Sequence, residues 1–520
     1  MVQKIKKFRP NARPNPTRRA GVLLHISSLP AGDSNTGNLI TGNTSTGNTS
    51  TGNFGADAYK FVDFLVSIGA SIWQTLPLNM PHDDGSPYQC LSAQAGRLDF
   101  ISLESLVAQG LLNKDDLAQV ENNPMVSRDA LFNQAYSHYK QQKNQNLQKQ
   151  FVTFCRKNSA WLNDFALFLV LREKFNKTGW HTWPKAYKNK QPALMVQVKL
   201  RFATEIAVIK FTQFLFFSQW QALKTYANQK GVAMFGDIPI FVAYDSADVW
   251  AHPRLFKLDA NKEMQVVAGV PPDYFSASGQ RWGNPHYNWD AMQYDGFKWW
   301  LERMRTQHAM FDLVRIDHFR GLQAAWEIPA NEETAINGAW VLAPGAELLQ
   351  AITARFPNMQ LIAEDLGIIT DEVNALREQF HLPSMKILQF AFGGDDTNPY
   401  LPNNIEVNSV AYTGTHDNDT TSGWYLALDE RTQHHVNTLI NEATPNMPQA
   451  LIALVMATKA NLAIIPMQDI LGLDAEHRMN TPGTMDKNWH WRFDWSQLTP
   501  AHIAEIKQVI QASKRANKWH

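Results

Sequence analysis

Two cysteines, Cys90 and Cys155, are too few for a disulfide framework or a four-cysteine zinc site. An excess of charge of either sign is also missing, since 48 Lys and Arg balance 48 Asp and Glu. Such a chain has no long-range field to hold a phosphate backbone or an anionic membrane, which argues against a nucleic-acid partner. Long apolar runs are absent too. The longest, Ala450–Ala457, falls far short of the roughly 20 residues that span a bilayer, so no membrane association is expected. The basic N-terminal stretch contains an Arg18-Arg19 pair, but only Ala20–Leu24 separates it from His25, too little for an export signal. The expectation is a soluble, cytoplasmic protein.

What is present is a globular composition, 44% apolar and only 18% charged, which excludes a disordered or coiled-coil chain. Its 520 residues suffice for one large core with elaborations. The 17 Trp, 13 Tyr and 28 Phe suit a protein that stacks flat, weakly polar faces such as sugar rings. Thr-Gly-Asn recurs at 36–38, 41–43, 46–48 and 51–53, a tract with almost nothing to bury, expected as a surface loop.

Elsewhere short apolar runs end in polar residues and alternate with helix-length segments. They are Gly21–His25, Ser71–Leu78, Val232–Pro239, Phe311–His318, Leu361–Asp365, Met385–Phe390, Ser409–Thr413 and Ala463–Met467. Eight buried-type strands separated by crossovers predict an α/β fold, a parallel (β/α)8 TIM barrel forming a single catalytic domain over 1–520. Residues 79–231 separate the second and third runs and include helical patterns at Ser127–Asn144 and Trp161–Phe175, so they read as a helical insertion. Residues 240–308, rich in Pro, Gly and Trp, read as an irregular, lid-like insertion after strand three.

A barrel does its chemistry at the carboxyl ends of its strands. Those ends carry Asp237, then Arg315-Ile316-Asp317-His318, then Glu364-Asp365, then His416-Asp417-Asn418-Asp419. Glycosyl transfer could use such a set, because retention needs two carboxyl groups about 5–5.5 Å apart and adjacent strand ends supply that spacing. A metal site would use His318, His416, Asp417 and Asp419, but no tight His-Glu-x-x-His spacing appears. Proton abstraction on a sugar phosphate would want a Gly-rich cradle on the last strands, and Gln468-Asp469-Ile470-Leu471-Gly472 is a poor one. The residues alone point to a barrel enzyme with a carboxylate-rich pocket that favours carbohydrate.

The motifs then become specific. Gly21-Val22-Leu23-Leu24-His25, Ser86-Pro87-Tyr88-Gln89, GDIPIFVA at 236–243, VAGVPPDYFSASGQRWGNP at 267–285, VRIDHFRG at 314–321, AEDLG at 363–367, YTGTHDNDTTSGW at 412–424, QDILGL at 468–473 and RMNTPGT at 478–484 follow one another. In that order the chain resembles the amylomaltases, the 4-α-glucanotransferases of the α-amylase clan. The resemblance implies Asp317 as nucleophile, Glu364 as acid and base, and Asp417 as stabiliser of the distorted transition state. It implies substrate contacts from Tyr88, Asp237, Trp282, Arg315 and His416, with no cofactor and no metal. The implied partners are maltooligosaccharides and other α-1,4-glucans, with glucose as an acceptor, and the alternative is an amylase-like hydrolase. Departures from the family pattern are the Thr-Gly-Asn tract, Gly393-Gly394 behind Phe392, and Gly96-Arg97-Leu98.

Overall fold

The computed structural model describes residues 18–30, 51–117, 128–272, 276–442, 445–484 and 486–517. Apart from Thr51-Gly52-Asn53, the Thr-Gly-Asn tract lies outside them. The central strands are β1 (Arg19–Leu23), β2 (Ile72–Gln74) and β3 (Ala233–Ile238). After β4 (Val266–Val270) and β5 (Gln280–Pro285) comes β6 (Leu313–Ile316), and after β7 (Ala324–Pro329) and β8 (Ala339–Leu342) come β9 (Gln360–Ala363), β10 (Ser384–Ile387), β11 (Ser409–Tyr412) and β12 (Leu462–Pro466). Eight of them form one parallel sheet in the order β10-β11-β12-β1-β2-β3-β6-β9, and these are the eight runs anticipated from sequence. Neighbours in space are successive members of that set in the chain, which is the (β/α)8 arrangement.

The sheet closes between β9 and β10 without a regular ladder. Ala363 N donates to Pro383 O at 3.0 Å, and Met385 N donates to the side chain of Asp365 at 2.8 Å. A carboxylate thus takes the place of a backbone carbonyl at the seam.

The strands form because both of their faces are buried. Leu23, Ile72, Phe235, Leu313, Ile362, Met385, Val410, Leu462 and Ile464 fill the barrel interior as one cluster. Intervening residues such as Val22, Trp73, Met234, Val314 and Ile465 belong to the larger core outside it. Burial of this kind contributes about 1.5–3 kcal/mol per large side chain. Strand alternation then carries the inward parity upward: Phe235 is followed by Asp237, Leu313 by Arg315 and Asp317, and Ile362 by Glu364. The floor of the site is apolar and its rim is charged for this geometric reason.

Between β2 and β3 the chain is helical, including Arg128–Gln142, Ser159–Lys174 and the long Ala203–Gln229, whose Phe211, Phe214, Phe216 and Trp220 are buried. The stretch from 240 to 308 is more regular than its sequence suggested. It supplies β4 and β5, which join β7 and β8 in a four-stranded antiparallel sheet of order β5-β4-β7-β8. Gly and Pro mask the strand pattern there, and although β4 pairs with its neighbour β5, its other partner, β7, lies beyond β6.

At the opposite end of the barrel the fully buried Arg515 donates to the carbonyls of Met456 and Thr458 at 2.9 Å, Arg19 at 3.2 Å and Asn461 at 3.3 Å. Burial lowers its pKa to about 9. Just beyond the C-terminal helix, Pro500–Ala512, this side chain and Arg18, which donates to Ser513 O at 2.9 Å, tie the chain end to the barrel.

Candidate active site

Arg315 is the hub. It sits on β6 opposite Asp237 on β3 and Ile362 on β9. Its Nε donates to Asp237 Oδ1 at 2.8 Å, and its Nη2 is bonded to Asp317 Oδ1. Asp237 is 1% exposed, so a second acidic group stands behind the first with one guanidinium shared between them. A fork of fixed donors suits this double pairing better than an ammonium would.

Asp317 continues the inward parity of β6 and Glu364 that of β9, at the same level of adjacent strands. Ile316 O accepts from Glu364 N at 3.1 Å. In return His318 N donates to Glu364 Oε2 at 2.6 Å, and Leu366 N reaches Oε1 at 3.1 Å. His318 makes this contact from left-handed backbone, φ 52°. The two backbone donors and Arg315 favour ionised Glu364, yet burial outweighs them, and with Asp365 alongside the carboxyl is pushed up to about 7.

Burial also pushes the Asp317 carboxyl well above its ordinary range; Arg315 opposes the push, while Asp237, Glu364 and Asp417 add to it. The two carboxyls titrate as a pair. Only Asp317 has the guanidinium in direct contact, which favours its ionised form over that of Glu364. The Asp317 side chain is 29% exposed, open on the cleft side.

The third carboxylate comes from the segment after β11. Asp469, 1% exposed, anchors that segment by accepting from Thr413 Oγ1 at 2.5 Å, Thr421 N at 2.8 Å and Thr421 Oγ1 at 2.7 Å. Asp417 Oδ1 accepts from Asn480 Nδ2 at 2.6 Å, and its Oδ2 lies 3.2 Å from His416 Nε2. Burial alone would raise the Asp417 carboxyl, but His416, Asn480 and Arg315 together hold it below its ordinary value.

Tyr88 ties the carboxylates together. Its hydroxyl donates to Asp237 Oδ2 at 2.7 Å and lies 2.8 Å from His416 Nε2. With its one proton given to Asp237, the Tyr88 oxygen accepts from His416, which therefore carries hydrogen on Nε2 in this assignment. Burial and Asp237 keep the phenol protonated. The Tyr88 and His416 rings stack at 5.2 Å and 13°, and Trp489 leans over both at 5.8 and 6.1 Å. Across the cleft, Trp282 on β5 meets the His318 ring edge-on at 4.8 Å.

The residues singled out from sequence thus fall into one cluster, with two refinements of position. Asp237 lies behind Arg315 and Tyr88, not on the open wall, and one face of Tyr88 is covered by His416. Sequence reading gave no role to Asn480 and Arg478, although both lie in the quoted RMNTPGT stretch; Arg478 Nη2 donates to Asp417 O at 3.0 Å. Nothing in the sequence singled out Trp489. Among the described residues no group of three or more His, Cys, Asp or Glu could hold a metal ion, and no helix is long and apolar enough to cross a membrane.

Comparison with known proteins identifies the family. The family model described as 4-alpha-glucanotransferase matches residues 40–498. A 4-alpha-glucanotransferase of Synechocystis is 44% identical over 508 residues, covering 95% of this chain and 97% of its own. That of Thermus thermophilus is 41% identical over 511 residues, covering 96% and 99%. Among solved structures, the amylomaltase from Streptococcus agalactiae in complex with acarbose superposes with a TM-score of 0.88 at 34% identity, over 96% of this chain and 100% of that one. A (β/α)8 barrel with its acidic cluster at the strand ends, matched over nearly its whole length, is a member of the 4-alpha-glucanotransferase family, and this chain belongs to it.

Proposed function

We propose that the chain transfers maltooligosaccharide segments with retention, through a β-glucosyl ester on Asp317, to the 4-hydroxyl of glucose or another α-1,4-glucan. Asp317 attacks the anomeric carbon while Glu364 gives its proton to the departing 4-oxygen. In the second half Glu364 takes the proton of the incoming hydroxyl, whose oxygen displaces Asp317 from that carbon. Asp417, held ionised, accepts hydrogen bonds from sugar hydroxyls and stabilises the positive charge that develops on the ring. Arg315 and Asp237 orient the nucleophile. Tyr88 and Trp282 line the cleft, and His416 moves from Tyr88 to the sugar when substrate enters. The reaction takes place in the cytoplasm.

The observation that carries the reading is the unequal environment of two carboxyls on neighbouring strand ends. Both are raised by burial, but one is in direct contact with a guanidinium, and the other lacks that contact and is raised to about 7. Incubation with maltotriose tests it. Transfer yields a ladder of shorter and longer oligomers with no net gain of reducing ends. Steady accumulation of reducing ends would identify a hydrolase, and binding without turnover would identify a glucan-binding protein.

A further inference from the structure

Asn284 on β5 and Gln89, the residue after Tyr88, face each other with their amides in reciprocal register. Gln89 Nε2 donates to Asn284 Oδ1 at 3.1 Å, and Asn284 Nδ2 donates to Gln89 Oε1 at 3.3 Å. Asn284 is 5% exposed and its Nδ2 also donates to Val242 O at 3.0 Å, so the pair is fixed to the segment that follows β3. Between Trp282 and Asn284, Gly283 has φ +79°, a left-handed conformation that side chains disfavour. This turn lets Trp282 face His318 in the cleft while Asn284, two residues on, is directed into the body of the protein. One pair of amides therefore joins the loop that carries Tyr88 to the hairpin that carries Trp282.

We infer that Gln89 and Asn284 are positioning residues that decide what meets the glucosyl intermediate. The inference rests on the transfer reaction proposed above. At that stage the bond between the anomeric carbon and the Asp317 oxygen breaks and a new carbon–oxygen bond forms. The attacking oxygen comes from a sugar hydroxyl or from water, and its proton goes to Glu364 in either case. The two outcomes share every catalytic group and differ only in whether the cleft is closed to water and shaped for a second sugar. A neutral amide pair is suited to that role. It fixes the distance between two walls without adding a charge that would perturb the neighbouring carboxyls, and each amide loses both bonds if the walls separate.

Gln89→Ala and Asn284→Ala in the full-length protein are expected to raise the ratio of hydrolysis to transfer on maltotriose about five-fold, since either one breaks both bonds of the amide pair. The rate of donor cleavage should stay within about two-fold, and the double variant should do no more than either single one. The exchanged variant, Gln89→Asn with Asn284→Gln, should recover most of the wild-type ratio. A ratio unchanged in the single variants would overturn the inference, as would a fall in cleavage and transfer together with a lowered melting temperature. A wild-type protein that forms no ladder from maltotriose would instead overturn the transfer reading itself, so the two failures are distinguishable.

Discussion

The backbone amide of His318 donates to the carboxyl of Glu364 at 2.6 Å, so the residue that follows Asp317 holds the carboxyl on the next strand. The spacing of the Asp317 and Glu364 carboxyls is therefore set by backbone, through the left-handed turn at His318 and the parallel register of β6 and β9.

A pH dependence follows from the Glu364 carboxyl, raised to about 7. The proposed mechanism uses it protonated, so kcat/KM for maltotriose should fall above pH 7 with a one-proton slope. Asp365→Asn removes a negative neighbour and should shift that limb to lower pH.

Stability should show the same group with the opposite emphasis. A carboxyl whose folded pKa is raised supports the fold below its unfolded value near 4.5 and loses that support as pH rises through 7. Glu364→Gln should melt higher than wild type at pH 8, with the gap closing towards pH 4.5, while transfer falls by about 10⁴-fold or more. Equal melting temperatures at both pH values would contradict the assignment.

Arg315→Lys keeps the charge but gives up the fork that serves Asp237 and Asp317 at once. It should reduce kcat about 100-fold or more with a smaller change in KM, as expected when an orienting contact near the reacting atoms is lost. Steady-state kinetics on maltotriose separate the two parameters.

Asn480→Ala removes one of the groups that hold the Asp417 carboxyl down. Because Asp317, pushed up by burial, titrates above Asp417 and sets the acidic limb, both limbs of the kcat/KM profile should stay in place while kcat falls. A profile that shifts on both sides would point to disturbance of the whole cleft.

Arg515→Met acts far from the chemistry. It removes a buried donor that the carbonyls of Met456 and Thr458 share with Arg18 and that of Asn461 with the Arg19 amide, and should cost about 1–3 kcal/mol by denaturant unfolding. At a temperature where it remains folded, kcat should be close to wild type.

The barrel was legible because each strand is buried on both faces and therefore reads as an uninterrupted apolar run, and the predicted Ser127–Asn144 helix appears as Arg128–Gln142. The acidic cluster was legible because strand alternation carries Leu313 to Arg315 and Asp317, and Ile362 to Glu364. Supports that reach across the fold were not. Asn480 meets Asp417 over 63 positions of chain and Gln89 meets Asn284 over 195, separations at which no local pattern exists. In the small antiparallel sheet the local pairs β4–β5 and β7–β8 were masked by Gly and Pro, and their junction, β4 with β7, lies on either side of β6.

That sheet has a bearing on attempts to build hybrids from relatives. The excursion after β3 and the one after β6 are woven into a single fabric, so grafting either alone from a donor enzyme would leave its partner with mismatched edges. Recombination experiments should keep the two together, with crossover points placed before β4 and after β8.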